Sequence, residues 1–237
     1  MGYFRATRHP WPTLVLLVPL LLAYEGGVLW FGGPNPDLIR NGADAWLRMA
    51  LQAYGLEQVV IAPVFVALIF AVWSWWRRQD RPDAVLGVCC GMGLECFGFA
   101  ILLWGLSHGL APMLQQLGVT LAQPPTIDPV MARLVTFIGA GIYEEILFRF
   151  LLFSGLTILL RLALTPRFQA LLIAAVISAF VFAAAHHVGP YGEPMNSYVF
   201  LFRFMAGMYF AAVYHFRGFA VAAGAHACYD VLVGLAP

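Results

Sequence analysis

The sequence predicts an all-α, polytopic transmembrane helix bundle, and three observations carry the prediction. Hydrophobic residues make up 62% of the 237 positions, charged residues only 11%, and mean hydropathy is +0.81. No soluble domain of this size needs so much apolar surface. Apolar windows of about 20 residues, long enough to cross a hydrocarbon core, recur along the chain. Arginines crowd into alternate connections between those windows, the asymmetry that orients membrane helices. A net charge of +1 excludes a strongly basic nucleic-acid binder.

The windows fall near 12–31, 57–76, 84–107, 130–160, 168–187, 197–215 and 218–235. Arg5 and Arg8 precede the first window, but no small-residue cleavage site follows it, so it reads as a span and not as a signal peptide. Between the first two windows lies FGGPNPDLIRNGADAWLRMALQAYG, rich in Gly, Pro and polar residues. From Ala43 to Tyr54 it has helical spacing and is expected to lie along the membrane interface. The fourth window is long enough to tilt strongly or to break near Gly155. Cys89, Cys90, Cys96 and Cys228 all sit in apolar stretches without a CxxC pair. They are expected to be buried and inert, forming neither a disulfide framework nor a thiolate zinc site. With no repeat or low-complexity linker, residues 1–237 read as one membrane-embedded domain. Its N-terminal spans, 1–127, carry no motif, and its motif-bearing core is 128–237.

Charge then orients the chain. Arg5 and Arg8, then Arg77, Arg78 and Arg81, then Arg161 and Arg167, then Arg217 share one side, while the opposite connections hold only Arg40 and Arg48. The pattern predicts about seven spans with a cytoplasmic N-terminus and an outer C-terminus; an eighth span would reverse the C-terminus.

Polar groups inside the windows narrow the function. Glu144, Glu145 and Arg149 lie within TFIGAGIYEEILFRFLLFSG, where each charge costs a few kcal/mol at bilayer depth even on the lenient insertion scale. FAAAHH, Phe182 to His187, ends the fifth window, and HACYD, His226 to Asp230, lies in the seventh. In an α-helix Glu145 and Arg149 are i,i+4 and pair along one face, whereas Glu144 points about 100° away and is free to face a cavity. His226 and Asp230 share the same i,i+4 relation.

A lone buried His is more often a hydrogen-bonded core residue than a catalyst, and a lone Glu–Arg pair is usually structural. Three such clusters in one low-dielectric bundle, however, supply a base, two imidazoles and a further acid. Glu144, His186 and His226 are therefore the functional candidates, with Arg149 orienting its helix through Glu145 and His187 a neighbour. His9, His108 and His215 fall near window ends, where solvated or interfacial readings dominate. Glu25, Glu95, Arg133 and Arg203 also lie in or near spans, but spacing names no partner for them.

Three motifs in order carry a resemblance: Glu144-Glu145-Ile146-Leu147-Phe148-Arg149, Phe182-Ala183-Ala184-Ala185-His186, and His226-Ala227-Cys228-Tyr229-Asp230. The pattern EExxxR, FxxxH, HxxxD/N resembles the CaaX protease and bacteriocin-processing (CPBP, or Abi) family, which includes the eukaryotic Ras-converting CaaX endoprotease. The likeness covers roughly the C-terminal 110 residues. It implies a glutamic-type intramembrane endopeptidase in which Glu144 is the general base and His186 holds and polarises the attacking water. His226 and Asp230 would face the scissile carbonyl oxygen, with Glu145, Arg149 and Phe182 in support. The last motif position is often Asn in the family; an ionised Asp230 cannot donate to an oxyanion. Either Asp230 is protonated, or it orients His226 and leaves donation to the imidazole. The i,i+4 spacing favours the second.

No cofactor is expected. Two His and two Glu could nevertheless ligate zinc, although HExxH and thiolate ligands are absent from the sequence. The expected partners are the lipid bilayer and a membrane-associated protein or peptide substrate: a C-terminal sorting tag, a CaaX-like tail or a bacteriocin leader. A site toward the outer side of a bacterial inner membrane would favour exported or tethered substrates. The competing classes are a non-proteolytic immunity protein or scaffold that keeps the fold, and a proton-coupled transporter. Against the transporter, the ionisable groups cluster at one depth and no inverted repeat appears.

Overall fold

The computed structural model describes residues 1–56, 61–116, 130–189 and 192–235. The first residues of the second window, 57–60, and the expected boundary between residues 127 and 128 lie outside these. Among the described residues all regular structure is helical. After a short α1 (Tyr3–Ala6) come α2 (Pro10–Gly32), α3 (Gly42–Gln52), α4 (Ile61–Trp76) and α5 (Val85–Gln116). Residues 130–162 form one rod of three parts: α6 (Val130–Gly139), a π-helix (Ala140–Phe153) and α7 (Ser154–Leu162). The chain continues with α8 (Arg167–Ala185), α9 (Ser197–Arg217) and α10 (Phe219–Leu235).

Four helical stretches are long and apolar enough to cross a membrane: Pro10–Gly32, Val85–Gly109, Arg167–Ala185 and Ser197–Arg217. Ile61–Trp76 and Phe219–Gly234 are apolar but shorter. The protein is thus an all-α, polytopic bundle. Its outer surface is apolar, with Leu22, Leu68, Leu94 and Phe168 turned outwards, the reverse of a soluble protein and the arrangement that lipid demands. The shorter α10 runs through the middle, where Val221, Ala222 and Ala225 are fully buried. It packs on α5, α6 and the π-helix, while α8 packs on α9 and the π-helix.

Local chemistry starts and stops these helices. His9 caps α2: its Nδ1 accepts from the Trp11 amide at 3.2 Å, and Pro10 occupies the first helical position. Asn41 caps α3, and Asn196 caps α9 by accepting from the Tyr198 and Val199 amides. Gly218, at φ +94°, ends α9 in a conformation that suits glycine and starts α10 at once.

The arginine-bearing connections gather at one end. Arg8 lies against Gly218, His9 Nε2 donates to the Arg77 carbonyl at 3.2 Å, and the Arg81 guanidinium lies over Trp11. His9 is therefore buried and bonded through both ring nitrogens, contrary to its solvated reading. Arg217 is also buried, donating to both Glu95 oxygens at 2.7 and 2.5 Å.

Three further expectations change. The segment expected along the interface turns its first turn inward: Ala43 and Asp44 are buried, and α3 packs on the π-helix and α4. Gly155 lies inside α7, and the irregularity of residues 130–162 is upstream, in the π-helix. Cys89 and Cys96 are buried, but Cys90 is exposed on the lipid-facing surface and Cys228 is half-buried.

Gly141 permits the closest approach of the π-helix to α10. A Cβ there would stand 2.5 Å from the Ala223 carbonyl oxygen and 2.7 Å from the Ala227 Cβ. Neither neighbour can rotate away, so Gly141→Val should push α10 outward. We expect a loss of about 1–3 kcal/mol, seen as a lower melting temperature in detergent. An unchanged melting temperature would show that the two helices have slack.

Candidate active site

The π-helix, α8 and α10 converge on one polar spot inside the bundle, and the connection leading into α3 reaches it from the other half of the chain. The π-helix closes its turns through i→i+5 bonds, so the 100° α-helical phase does not apply to Glu144 and Glu145. Both carboxylates are buried, Glu145 completely and Glu144 to 7% exposure.

Glu144 Oε1 accepts a hydrogen bond from Asn41 Nδ2 at 2.9 Å. Its Oε2 has no hydrogen-bond partner among the described residues. That oxygen lies 3.7 Å from His186 Nε2 and 3.7 Å from His226 Nε2. Such distances are too long for direct hydrogen bonds but short enough for one small oxygen-bearing group to bridge all three atoms.

His186 is the C-cap of α8, and its Nδ1 donates to the Phe182 carbonyl at 2.8 Å. A carbonyl only accepts, so Nδ1 carries a proton, and in the neutral ring Nε2 is left as an acceptor facing Glu144. His226 Nδ1 lies 2.9 Å from Glu145 Oε1 and donates to it. Its Nε2 lies 3.6 Å from Asp230 Oδ2. The orienting hydrogen bond expected from Asp230 is thus made by Glu145, because the tertiary packing turns Nδ1 toward the π-helix while Nε2 faces Asp230.

Arg149 is fully buried and contacts Glu145 Oε1 at 3.1 Å, an ion pair whose angle falls short of a hydrogen bond. Its guanidinium also lies 4.3 Å from the Phe182 ring centre and reaches the Gly207 carbonyl at 3.4 Å. Glu145 therefore bridges Arg149 and His226. Phe182 is the apolar partition of the site, its ring edge-on to His186 at 4.9 Å and to His226 at 5.9 Å. Phe210 stacks on His226 at 4.5 Å. His187 turns away, donating from Nδ1 to the Glu193 carbonyl and stacking on Phe200. Beside it, Glu193, in the connection before α9, accepts at both oxygens from Arg203 of α9 at 2.9 Å. Burial works against the Glu193 carboxylate, but these two bonds hold it below the usual carboxylate range.

The structure supplies the partners that spacing could not. Glu25 binds Arg40 and Arg48 at 3.2 and 2.8 Å and accepts from Tyr143. Glu95 pairs with Arg217, and Arg133 donates to the Gly234 carbonyl. Asn41 was not singled out by sequence reasoning. An Asn before a helix-spaced run does read as an N-cap, but nothing local says where its second amide atom points.

Among the described residues, no three or more His, Cys, Asp or Glu are grouped so as to hold a metal ion. The site's remaining carboxylate oxygens are engaged by Asn41, His226 and Arg149 or stand apart.

Inside this membrane-type bundle Glu144, Glu145 and His226 are buried together, with His186 and Asp230 partly exposed beside them. Residues 126–232 match the family described as Type II CAAX prenyl endopeptidase Rce1-like. The match supports peptidase activity at the level of that family. Searches against curated proteins and against solved structures returned no match.

Proposed function

We propose that the protein is an intramembrane endopeptidase that hydrolyses a peptide bond of a membrane-associated protein with a water activated by Glu144. The observation that supports this most directly is Glu144 Oε2, buried, without a hydrogen-bond partner among the described residues and equidistant from two imidazole Nε2 atoms. A water held there donates one O–H to Glu144 Oε2 and the other to His186 Nε2, leaving a lone pair for the scissile carbonyl carbon. As the C–O bond forms, the first proton passes to Glu144 and negative charge builds on the carbonyl oxygen. His226, in its imidazolium form, donates Nε2–H to that oxygen, the donor role that lowers such barriers most. Collapse breaks the C–N bond, and Glu144 returns its proton to the leaving amine. Asp230 flanks His226 Nε2 and keeps the oxyanion side polar. No step needs a metal.

In this reading the chain crosses the membrane about seven times with its N-terminus in the cytoplasm of a bacterial inner membrane. The clustering of Arg8, Arg77 and Arg81 at one end of the bundle supports that orientation. His186, at the far end of α8 from Arg167, then opens toward the outer side. Exported or membrane-tethered proteins with a C-terminal sorting tag suit such a site better than cytosolic prenylated ones.

Mass spectrometry of membrane proteins from cells carrying the wild-type chain or Glu144→Ala tests this directly. We expect a leader or C-terminal peptide retained only in the variant, and processing by wild-type membranes that persists after exhaustive chelation. Identical peptide maps would favour a non-proteolytic immunity or scaffold role, and loss of processing on chelation would favour a metal.

A further inference from the structure

Among the described residues, Glu144 is hydrogen-bonded through one oxygen only, and its anchor comes from outside the family-matched region. Asn41 lies 103 positions away in sequence, in the connection between α2 and α3, and donates Nδ2–H to Oε1 at 2.9 Å. The amide has no freedom to flip. Its Oδ1 accepts from the Ala43 amide at 2.8 Å as the cap of α3, which forces Nδ2 toward Glu144.

The backbone around it is equally constrained. The Asn41 N–H donates to Tyr24 Oη at 3.1 Å, and Tyr24 donates onward to Asp44 at 2.9 Å. Arg40 binds Asp44 at 2.7 Å and Glu25 at 3.2 Å. Tyr143, immediately before Glu144, donates to Glu25 Oε1 at 3.1 Å. One buried network thus holds both the amide donor and the backbone that carries the acceptor. Tyr24 and Asp44 are fully buried and Arg40 nearly so. Burying charges in this way is costly, and better-packed apolar residues often do as well for stability alone. What the network achieves is a fixed geometry at Glu144.

We propose that Asn41 is a positioning residue of the active site. By occupying Oε1, its amide directs Oε2 alone into the gap between His186 and His226. The terminal torsion of a glutamate is broad and roughly two-fold, so without the amide the carboxylate would sample orientations in which neither oxygen bisects the imidazoles. The proposal rests on the reading of Glu144 as the base.

The test separates positioning from helix capping. Asp and Ser cap a helix as well as Asn does, but Asp has no amide donor and Ser is too short to reach Glu144. The assay uses the full-length protein in detergent, and its substrate is the membrane protein that accumulates uncleaved in Glu144→Ala cells. We expect Asn41→Ser and Asn41→Asp to lower kcat by about 10–100-fold, with KM and melting temperature near wild type. Asn41→Asp should in addition move the acid limb of the kcat profile to higher pH, because a further carboxylate then faces Glu144. The groups already facing Glu144 are His186 from α8, His226 and Asp230 from α10, and Glu145 and Arg149 from its own helix; none is altered by either variant.

Wild-type kcat and pH profile in both variants, beside an inactive Glu144→Gln, would overturn the positioning role and leave the base assignment standing. An active, folded Glu144→Gln would overturn both. If Asn41→Asp is too unstable to measure, Asn41→Ser decides alone: reduced kcat supports positioning, and wild-type kcat refutes it.

Discussion

Glu144→Gln should abolish peptide hydrolysis, lowering turnover by about 10²–10⁴-fold, in a protein that still folds. Glutamine keeps the shape of glutamate, and its carbonyl oxygen can still accept from Asn41 Nδ2. The Asn41 bond then turns the glutamine NH₂ toward the imidazoles, where Glu144 places an acceptor. A donor in that position cannot take a proton from water, so the chemical step fails while substrate binding survives. Stability should hold or rise, since a buried charge is removed. The measurement is turnover of purified protein paired with its melting temperature. Normal turnover from a folded variant would remove Glu144 from the chemistry.

His226→Ala should cost about 10²–10³-fold in turnover, the usual loss when one oxyanion donor is removed. Glu145 acts through that ring: it accepts Nδ1–H at 2.9 Å and is itself held by Arg149 at 3.1 Å. Glu145→Gln should therefore lower turnover less than His226→Ala does, by weakening the acceptor that fixes the ring. The sharper expectation concerns the double variant. If Glu145 works only through His226, the pair should be no slower than His226→Ala alone, a non-additivity that marks residues acting as a unit. Losses that multiply would show that Glu145 has a separate part in the reaction.

Both expectations depend on features that differ in how far the sequence reveals them. The helical windows were legible because hydropathy is a local property summed over about 20 residues; each window falls largely on helix among the described residues, and four of those helices are long and apolar enough to cross a membrane. The three polar clusters were legible for a related reason: charges and imidazoles stand out against apolar neighbours. The Glu145–Arg149 contact was legible as well, because i,i+4 neighbours meet in the π-helix as they do in an α-helix.

The Glu145–His226 bond was not. It joins residues 81 positions apart, and the i,i+4 rule pointed to Asp230 instead. His9 was placed by its nearness to a window end and Arg217 in a connection, yet both are buried, His9 bonded to the Arg77 carbonyl and Arg217 to Glu95.

By itself, the sequence determined that this chain is an all-α membrane bundle with a glutamate, two histidines and an aspartate embedded in its apolar core. Those conclusions need only composition, periodicity and the cost of burying charge, all of which act over a few helical turns. Tertiary structure alone decided which atoms meet. It put Asn41 against Glu144 across 103 residues of chain, gave His226 to Glu145 and left one carboxylate oxygen facing two imidazoles. The physical reason is that helix phase relates a residue only to neighbours three to five positions away. Contacts between helices depend instead on how closely their backbones pack, as at Gly141 against Ala223 and Ala227, and on a buried ionic network whose members are scattered from Tyr24 to Tyr143.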